Sequence, residues 1–431
     1  MKKSIRIATM AMAVCMILGT WAVVYARADT DKNDTTAAQT ITTGVTVDAT
    51  TGATTVATGT AIFQKGDLFS DRDLQQVADL SKAVTYTVSD SEDITITAAG
   101  VYVLTGSARD VTVYVEAGKE DKVQLVLDGL TLTNGDSPAI YVKSADKVFV
   151  TTSADSSLSV TGSFQADGDT KLDGVIFSKS DLTLNGTAAL TISSTKNGVV
   201  GKDDLKITGG TYTISAKSKA IEANDSIRVA DGALNLTAGT DGLHAENDDD
   251  TSKGYVYIGG GAISINAGDD GIHATTVVQV DDGTIAIIAA EGIEATYVQL
   301  NGGTVSVSAK DDGINAAQKS ASYRATVEIN GGDITVVMGA GDTDGVDSNG
   351  DIIVNGGTIS VTGNSTFDYD GSAQYNGGTI IANGQQIDYI PNQMMGGMGG
   401  GFGGGWGGNG GWGNPGGNTG GWGGFGGRGG H

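Results

Sequence analysis

The residues that could do chemistry cluster between positions 222 and 347. There the pattern Asp-Gly-Ile-x-Ala and its close variants recurs, and acidic residues recur with it: Asp241, the pair Asp269 and Asp270, Glu291, the pair Asp311 and Asp312, and Asp342 with Asp344. The position after the apolar residue reads Glu222, His244, His273, Glu294, Asn315 and Asp347. If successive units stack as strands of one sheet, each such position becomes a column with a spacing of about 4.8 Å. Carboxylates held one strand apart repel by several kcal/mol at an intermediate dielectric unless something compensates them. Ca²⁺ suits this role, because it accepts six to eight hard oxygens and tolerates irregular loop geometry. The expected Ca²⁺ ligands are therefore Asp241, Asp269, Asp270, Glu291, Glu294, Asp311, Asp312, Asn315, Asp342, Asp344 and Asp347. Asp-Gly is also ordinary turn chemistry, so it is the recurrence in register that points to an ion. His244 and His273 share one column, but no thiolate or third histidine accompanies them. A hydrogen-bonded ladder is expected there rather than a transition-metal site.

Support for catalysis is weaker. A lyase acting on uronates needs a cation and a nearby base. Lys217, Lys219, Lys253 and Lys310 lie near the acidic turns but read as counter-charges on a solvated face. Stacked carboxylates satisfy the spacing of a glycosidase pair many times over, so that criterion does not discriminate. No serine elbow, phosphate loop or dinucleotide fingerprint occurs. Tyrosines are the available sugar-stacking groups, and Tyr255, Tyr257, Tyr297 and Tyr323 are the candidate platform.

The elements that must position these residues follow from a repeat. A strand, a Gly-Gly-Thr-like turn, a second alternating strand and the Asp-Gly motif recur, with the turn residue at Thr211, Ala233, Ala262, Thr284, Thr304, Asp333, Thr358 and Thr379. A basal unit of about 21 residues with β-branched alternation fits one coil of a parallel β-helix. In one such coil Ile293, Val298, Leu300, Val305 and Val307 point inward by alternation, while Glu294, Gln299 and Ser306 point out. Stacked coils bury a continuous apolar ladder that no coil buries alone. The doublets Gly209-Gly210, Gly302-Gly303, Gly331-Gly332, Gly356-Gly357 and Gly377-Gly378 fit corners that need positive φ. The fold class is all-β: a parallel β-helix of about ten coils, with an N-terminal β-rich segment over 65–170 and repeats over 171–390. Only one helix is expected, Asp71 to Leu80, where Leu74, Val77 and Ala78 share a face.

The ends differ in kind. Lys2, Lys3 and Arg6 precede an apolar run from Ile7 to Val24, and Ala26-Arg27-Ala28 provides the small residues of a cleavage site, so 1–28 reads as a signal peptide. Residues 29–64 read as a Thr/Ala-rich linker. Over 391–431 the chain is a Gly/Trp-rich tail, holding 23 of the 68 glycines and suited to self-association or wall contact. The mature chain would keep no cysteine, hence no disulfide and no thiolate site, and no second membrane span. With 26 basic against 50 acidic residues and a net charge of −24, the protein is no nucleic-acid binder. It is expected to be secreted, or attached at the cell surface.

Five segments carry a family resemblance. They are Gly100-Val-Tyr102-Val-Leu104-Thr-Gly106, Val126-Leu127-Asp128-Gly129-Leu130-Thr-Leu132, Ala139-Ile140-Tyr141-Val142, Ile176 to Gly186, and Gly201-Lys202-Asp203-Asp204-Leu205 to Gly210. In order and composition they resemble the clostridial-type carbohydrate-binding, calcium-binding β-helix family, over about residues 65 to 390. The resemblance implies a right-handed β-helix similar to polysaccharide lyases, Ca²⁺ among acidic turns, and binding of plant cell-wall polysaccharides such as cellulose or pectin. It does not imply lyase activity. One departure is Lys219-Ala220-Ile221-Glu222-Ala223-Asn224-Asp225, where the family has Asp-Gly or Asp-Ala followed by Gly-Lys-Asp, which weakens any cation site at that coil. A structural or adhesive surface protein and a Ca²⁺-dependent polysaccharide lyase are the alternatives.

Overall fold

β-Branched alternation with glycine at the corners produces three parallel ladders, in which each strand pairs with its counterpart one coil away. The computed structural model describes the backbone of 14–17, 20–23 and 45–47, and then residues 54–393 except 248, 341 and 342. Apart from the strand pair Val14–Ile17 and Thr20–Val23, the expected signal segment lies outside the described residues. So do most of the expected linker, the tail beyond 393, and Asp342.

The first ladder is a 12-stranded sheet running from Ile94–Ile96 to Ser365–Tyr369. The second and third share long bent strands such as Lys122–Asn134 and Tyr255–Ala267, which pass through both. Thr211, Ala233, Ala262, Thr284, Thr304, Asp333, Thr358 and Thr379 pair in succession along the third ladder. The interior is one continuous apolar cluster, in which Ile293, Val298, Leu300, Val305 and Val307 are buried. The third ladder exposes its outward side chains, as Thr304–Ala309 illustrates by strict alternation.

Glycine works in two ways here. The second of each doublet has positive φ, +81° at Gly303 for example, where an L side chain is strained. The glycine of the Asp-Gly motif instead has no positive φ. A Cβ on Gly292 would lie 2.2 Å from the Gly313 carbonyl oxygen and 2.3 Å from Val307 Cγ1. This glycine is required by close coil stacking, not by the corner conformation that Asp-Gly suggests.

The expected helix at Asp71–Leu80 does not form, and the helix among the described residues is Lys65–Leu68. Leu74, Val77 and Leu80 are exposed. The segment instead belongs to a strap, residues 54–76, laid along the outward side of the second ladder. The backbone of Gly59, Ile62 and Phe63 donates to the side-chain oxygens of Glu328, Gln299 and Gln279 at 2.6, 3.0 and 2.7 Å. Farther along, Leu68 and Phe69 pack on Tyr257, and Arg72 lies 4.5 Å over the Phe149 ring. Asp73, 0% exposed, meets Lys147 at 3.2 Å and Lys206 at 3.0 Å and accepts from Thr183 Oγ1 at 3.0 Å. Burial alone would raise its pKa, but the two lysines outweigh burial and hold the carboxyl well below the usual range. A helix would have sacrificed this buried ion cluster to gain an amphipathic face with nothing to cover. Gln299 does point out of the coil, but the strap buries it completely.

Candidate functional site

The strap lies on the second ladder, and the outward column of the first carries the candidate side chains, itself largely buried, with Tyr141, Phe177 and Val200 packed against Leu172. In register, one per coil, the column reads Tyr114, Tyr141, Phe177, Val200, Glu222, His244, His273, Glu294, Asn315, Asp347 and Asp368. One face thus passes from aromatic, through histidine, to acidic.

At the aromatic end lies a cleft of about 440 Å³, lined by Thr170, Lys171, Asp173, Phe177, Lys179, Asn197, Lys202, Ser218, Lys219 and Glu222. Four lysines face only two carboxylates there, in a chain that is strongly acidic overall. Lys202 sits 5.8 Å from the Phe177 ring centre, and Lys179 lies 5.9 Å from that of Tyr141. Glu222 pairs with Lys202 at 3.0 Å and Lys219 at 3.7 Å and accepts from Asn197 Nδ2 at 2.8 Å. Burial would raise its pKa, but the two lysines outweigh it and the carboxyl stays ionised. Asp173 is pushed up, by burial and then by Glu222, and its Oδ1 has no partner.

In the middle of the face the rings of His244 and His273 stack at 4.6 Å with 17° between their planes. Asp241 Oδ2 lies 2.8 Å from His244 Nδ1, close but off the hydrogen-bond axis, and Asp270 Oδ2 lies 2.6 Å from His273 Nδ1. Glu294 is 3.1 Å from His273 Nδ1 and 2.8 Å from Lys319. Burial favours a neutral His273, yet its bonds to Asp270 and Glu294 prevail and hold its pKa up to about 9. Two of the expected Ca²⁺ ligands, Asp270 and Glu294, are therefore already engaged with imidazole, and a third, Asp241, lies beside one.

At the acidic end the carboxyls are under mutual stress. Burial first, and then Glu294, Asp270 and Asp312, pushes Glu291 up to about 7. Burial, then Asp344 and Asp311, pushes Asp312 up to about 6. Burial, then Asp312, Asp344 and Asp368, pushes Asp347 up to about 7. Glu291 Oε2, Asn315 Oδ1 and Asp344 Oδ1 are buried and unpartnered. These hard oxygens fit the donor set of Ca²⁺. Asp269 and Asp311 are exposed at the rim. The acidic-end residues are not drawn into a tight cluster. Among the described residues, only His244/Glu246/His273 and Asp270/His273/Glu294 bring three such ligand atoms within 4.8 Å of one another.

The tyrosine platform requires correction. Tyr257 is fully buried under Phe69 and donates to Asp281 Oδ2 at 2.7 Å. Tyr297 is buried against Tyr323 and donates to Glu328 Oε2 at 2.9 Å. Tyr255 stacks on Phe63 at 4.4 Å. All four lie on or beside the second ladder, where the strap covers the faces a sugar would need. Two features have no counterpart among the sequence expectations. One is the lysine cleft. The other is an amide ladder, Asn301, Asn330, Asn355 and Asn376, with Nδ2 to Oδ1 bonds of 2.7, 2.6 and 2.8 Å. Its signal was an asparagine directly before each late glycine doublet.

A sequence profile of the family described as carbohydrate-binding domain-containing protein matches residues 90–342. A carbohydrate-binding domain-containing protein of Acetivibrio thermocellus is 36% identical over 129 residues, a stretch that covers 29% of this chain and 45% of the relative. The chain thus spans less than half of that relative's length. A solved polysaccharide lyase-like protein from C. thermocellum, studied as a gadolinium derivative, superposes with a TM-score of 0.46 at 28% identity. The superposition covers 57% of this chain and 96% of that one.

Proposed function

This chain belongs to the carbohydrate-binding domain-containing protein family, and we propose that it is a secreted or cell-surface protein that binds acidic plant cell-wall polysaccharide of the pectin class along the first ladder. The carrying observation is the cleft over Phe177, where four lysines gather in a chain of net charge −24. Ammonium groups at the rim take sugar carboxylates, and Asn197, Ser218 and Thr170 supply neutral hydrogen-bonding groups. The acidic surroundings would repel a polyanion of the same sign, so Ca²⁺ has a second role at the far end of the face. Glu291, Asp312, Asn315, Asp344 and Asp347 would hold it, relieve their own repulsion and bridge to uronates. The orphaned oxygens of Glu291, Asn315 and Asp344 support that reading. The winding is taken as right-handed with about ten coils, the hand that parallel strand connections adopt.

Adsorption to polygalacturonate and to cellulose, with and without chelator, tests the proposal. Binding to polygalacturonate that weakens on chelation is the expected result. Retention on cellulose alone would move the specificity to neutral glucan. Retention on neither polymer would leave a structural or adhesive role, and release of unsaturated, ultraviolet-absorbing product would indicate a lyase.

A further inference from the structure

We propose that His244, His273 and Glu246 form a site for a first-row transition-metal ion such as Zn²⁺, distinct in chemistry from the acidic turns and independent of polysaccharide binding. Two of the chain's 3 histidines occupy adjacent rungs of one ladder. Each has an aspartate three residues earlier against its Nδ1, Asp241 at 2.8 Å and Asp270 at 2.6 Å. At His273 the Asp270 carboxylate bonded to Nδ1 fixes the tautomer and raises the basicity of Nε2, the arrangement that supports metal-bound histidine, while Asp241 sits beside His244 Nδ1 but off its hydrogen-bond axis. The Nε2 atoms remain as ligands, the ion displacing the ring proton at His273 Nε2. His244 Nε2 lies 3.0 Å from Glu246 Oε2. His273 Nε2 is buried and has no partner, although the residue is only 9% exposed. A buried nitrogen left unpaired calls for an explanation that a solvated histidine ladder does not supply.

One ligand atom from each of the three residues lies within 4.8 Å of the others. Tetrahedral ligands at about 2.0–2.2 Å from a common ion lie about 3.3–3.6 Å apart, so an ion draws the trio inward by up to about 1.5 Å, a movement open to the half-exposed Glu246 side chain. Two imidazoles and one carboxylate select Zn²⁺, Ni²⁺ or Cu²⁺ over Ca²⁺. The Glu246 side chain is 46% exposed, which leaves an entry path and an open position. Lys319 opposes the other three-ligand group through Glu294, so that group is the weaker choice.

The test uses untagged full-length protein, freed of metal and then saturated with Ca²⁺. Titration with Co²⁺ should give visible d–d absorption at one equivalent per chain, reversed by Zn²⁺. Glu246→Gln, at a half-exposed position that leaves the fold intact, should weaken Co²⁺ binding at least about tenfold. Asp270→Asn, whose carboxylate bonds the far ring nitrogen of His273 at 2.6 Å, should weaken it about 10- to 100-fold. A spectrum that is absent in the wild type, or that survives unchanged in the His244→Asn/His273→Asn protein with an unaltered far-ultraviolet spectrum, would overturn the assignment.

Discussion

Replacing Asp347 by asparagine should stabilise the metal-free protein and abolish its response to Ca²⁺. Burial and the neighbours Asp312, Asp344 and Asp368 raise the Asp347 carboxyl from 3.8 to about 7. At about 1.4 kcal/mol per pKa unit, this is about 4 kcal/mol of unfavourable charge at pH 8 before solvent screening. Partial exposure reduces it to about 1–2 kcal/mol. The folded-state pKa lies above the unfolded one, so the folded chain binds the proton more tightly. The wild type in chelator should therefore lose stability as pH rises from about 4 through about 7, the window in which Glu291 and Asp312 also titrate. The Asp347→Asn substitution would remove the largest of these contributions, giving a flatter profile and a melting temperature a few degrees higher at pH 8. Added Ca²⁺ should reverse the ranking, because a ligand bound only by the native state raises its stability. Thermal melts of both proteins from pH 5 to 8, in chelator and in Ca²⁺, provide the assay. If the variant melts lower than the wild type in chelator, the carboxylate is a structural acceptor and the reasoning fails.

Asp73→Ala should cost about 3–5 kcal/mol, because it leaves Lys206 and Lys147 buried beside an empty site. It should also expose the strap to limited proteolysis near residues 54–76. Since the folded-state pKa of Asp73 is lowered, its contribution is present above the unfolded value and is lost as pH falls through the folded one. Acid should thus release the strap in the wild type before the coils melt. Gly292→Ala should lower the urea midpoint by about 1–3 kcal/mol equivalent, because the added Cβ meets a carbonyl 2.2 Å away. An unchanged midpoint would show that the coils separate more easily than their register implies.

The repeat was legible because stacking imposes it locally. Turn residues from Thr211 to Thr379 mark the third ladder, and the spacing that carries them also aligns Glu222 through Asp347 into one column. The strap was not legible. Its residues show no periodicity, and its partners lie far away in the chain, from 74 positions between Asp73 and Lys147 to 216 between Phe63 and Gln279. Polar residues at outward positions look solvent-facing in sequence, yet the fold buries both Gln299 and Tyr257. The outward column Phe149, Thr183, Lys206, Arg228, Tyr257, Gln279, Gln299 and Glu328 mixes aromatic, amide and charged groups, so its pattern alone does not show that something covers that ladder. The lysine cleft is not legible because Lys171 and Lys179 flank one strand while Lys202 and Lys219 come from the next two coils, and only the ladder register brings them to one rim.

Acidic polysaccharide bound in the lysine cleft should depend on the ammonium groups at its rim. The most direct measurement is the affinity of the Ca²⁺-loaded protein for polygalacturonate before and after Lys179→Gln/Lys202→Gln, two substitutions at the cleft rim. A loss of about tenfold or more, with unchanged melting temperature, is the predicted result. Equal affinity in both proteins would place polysaccharide binding elsewhere and contradict the account.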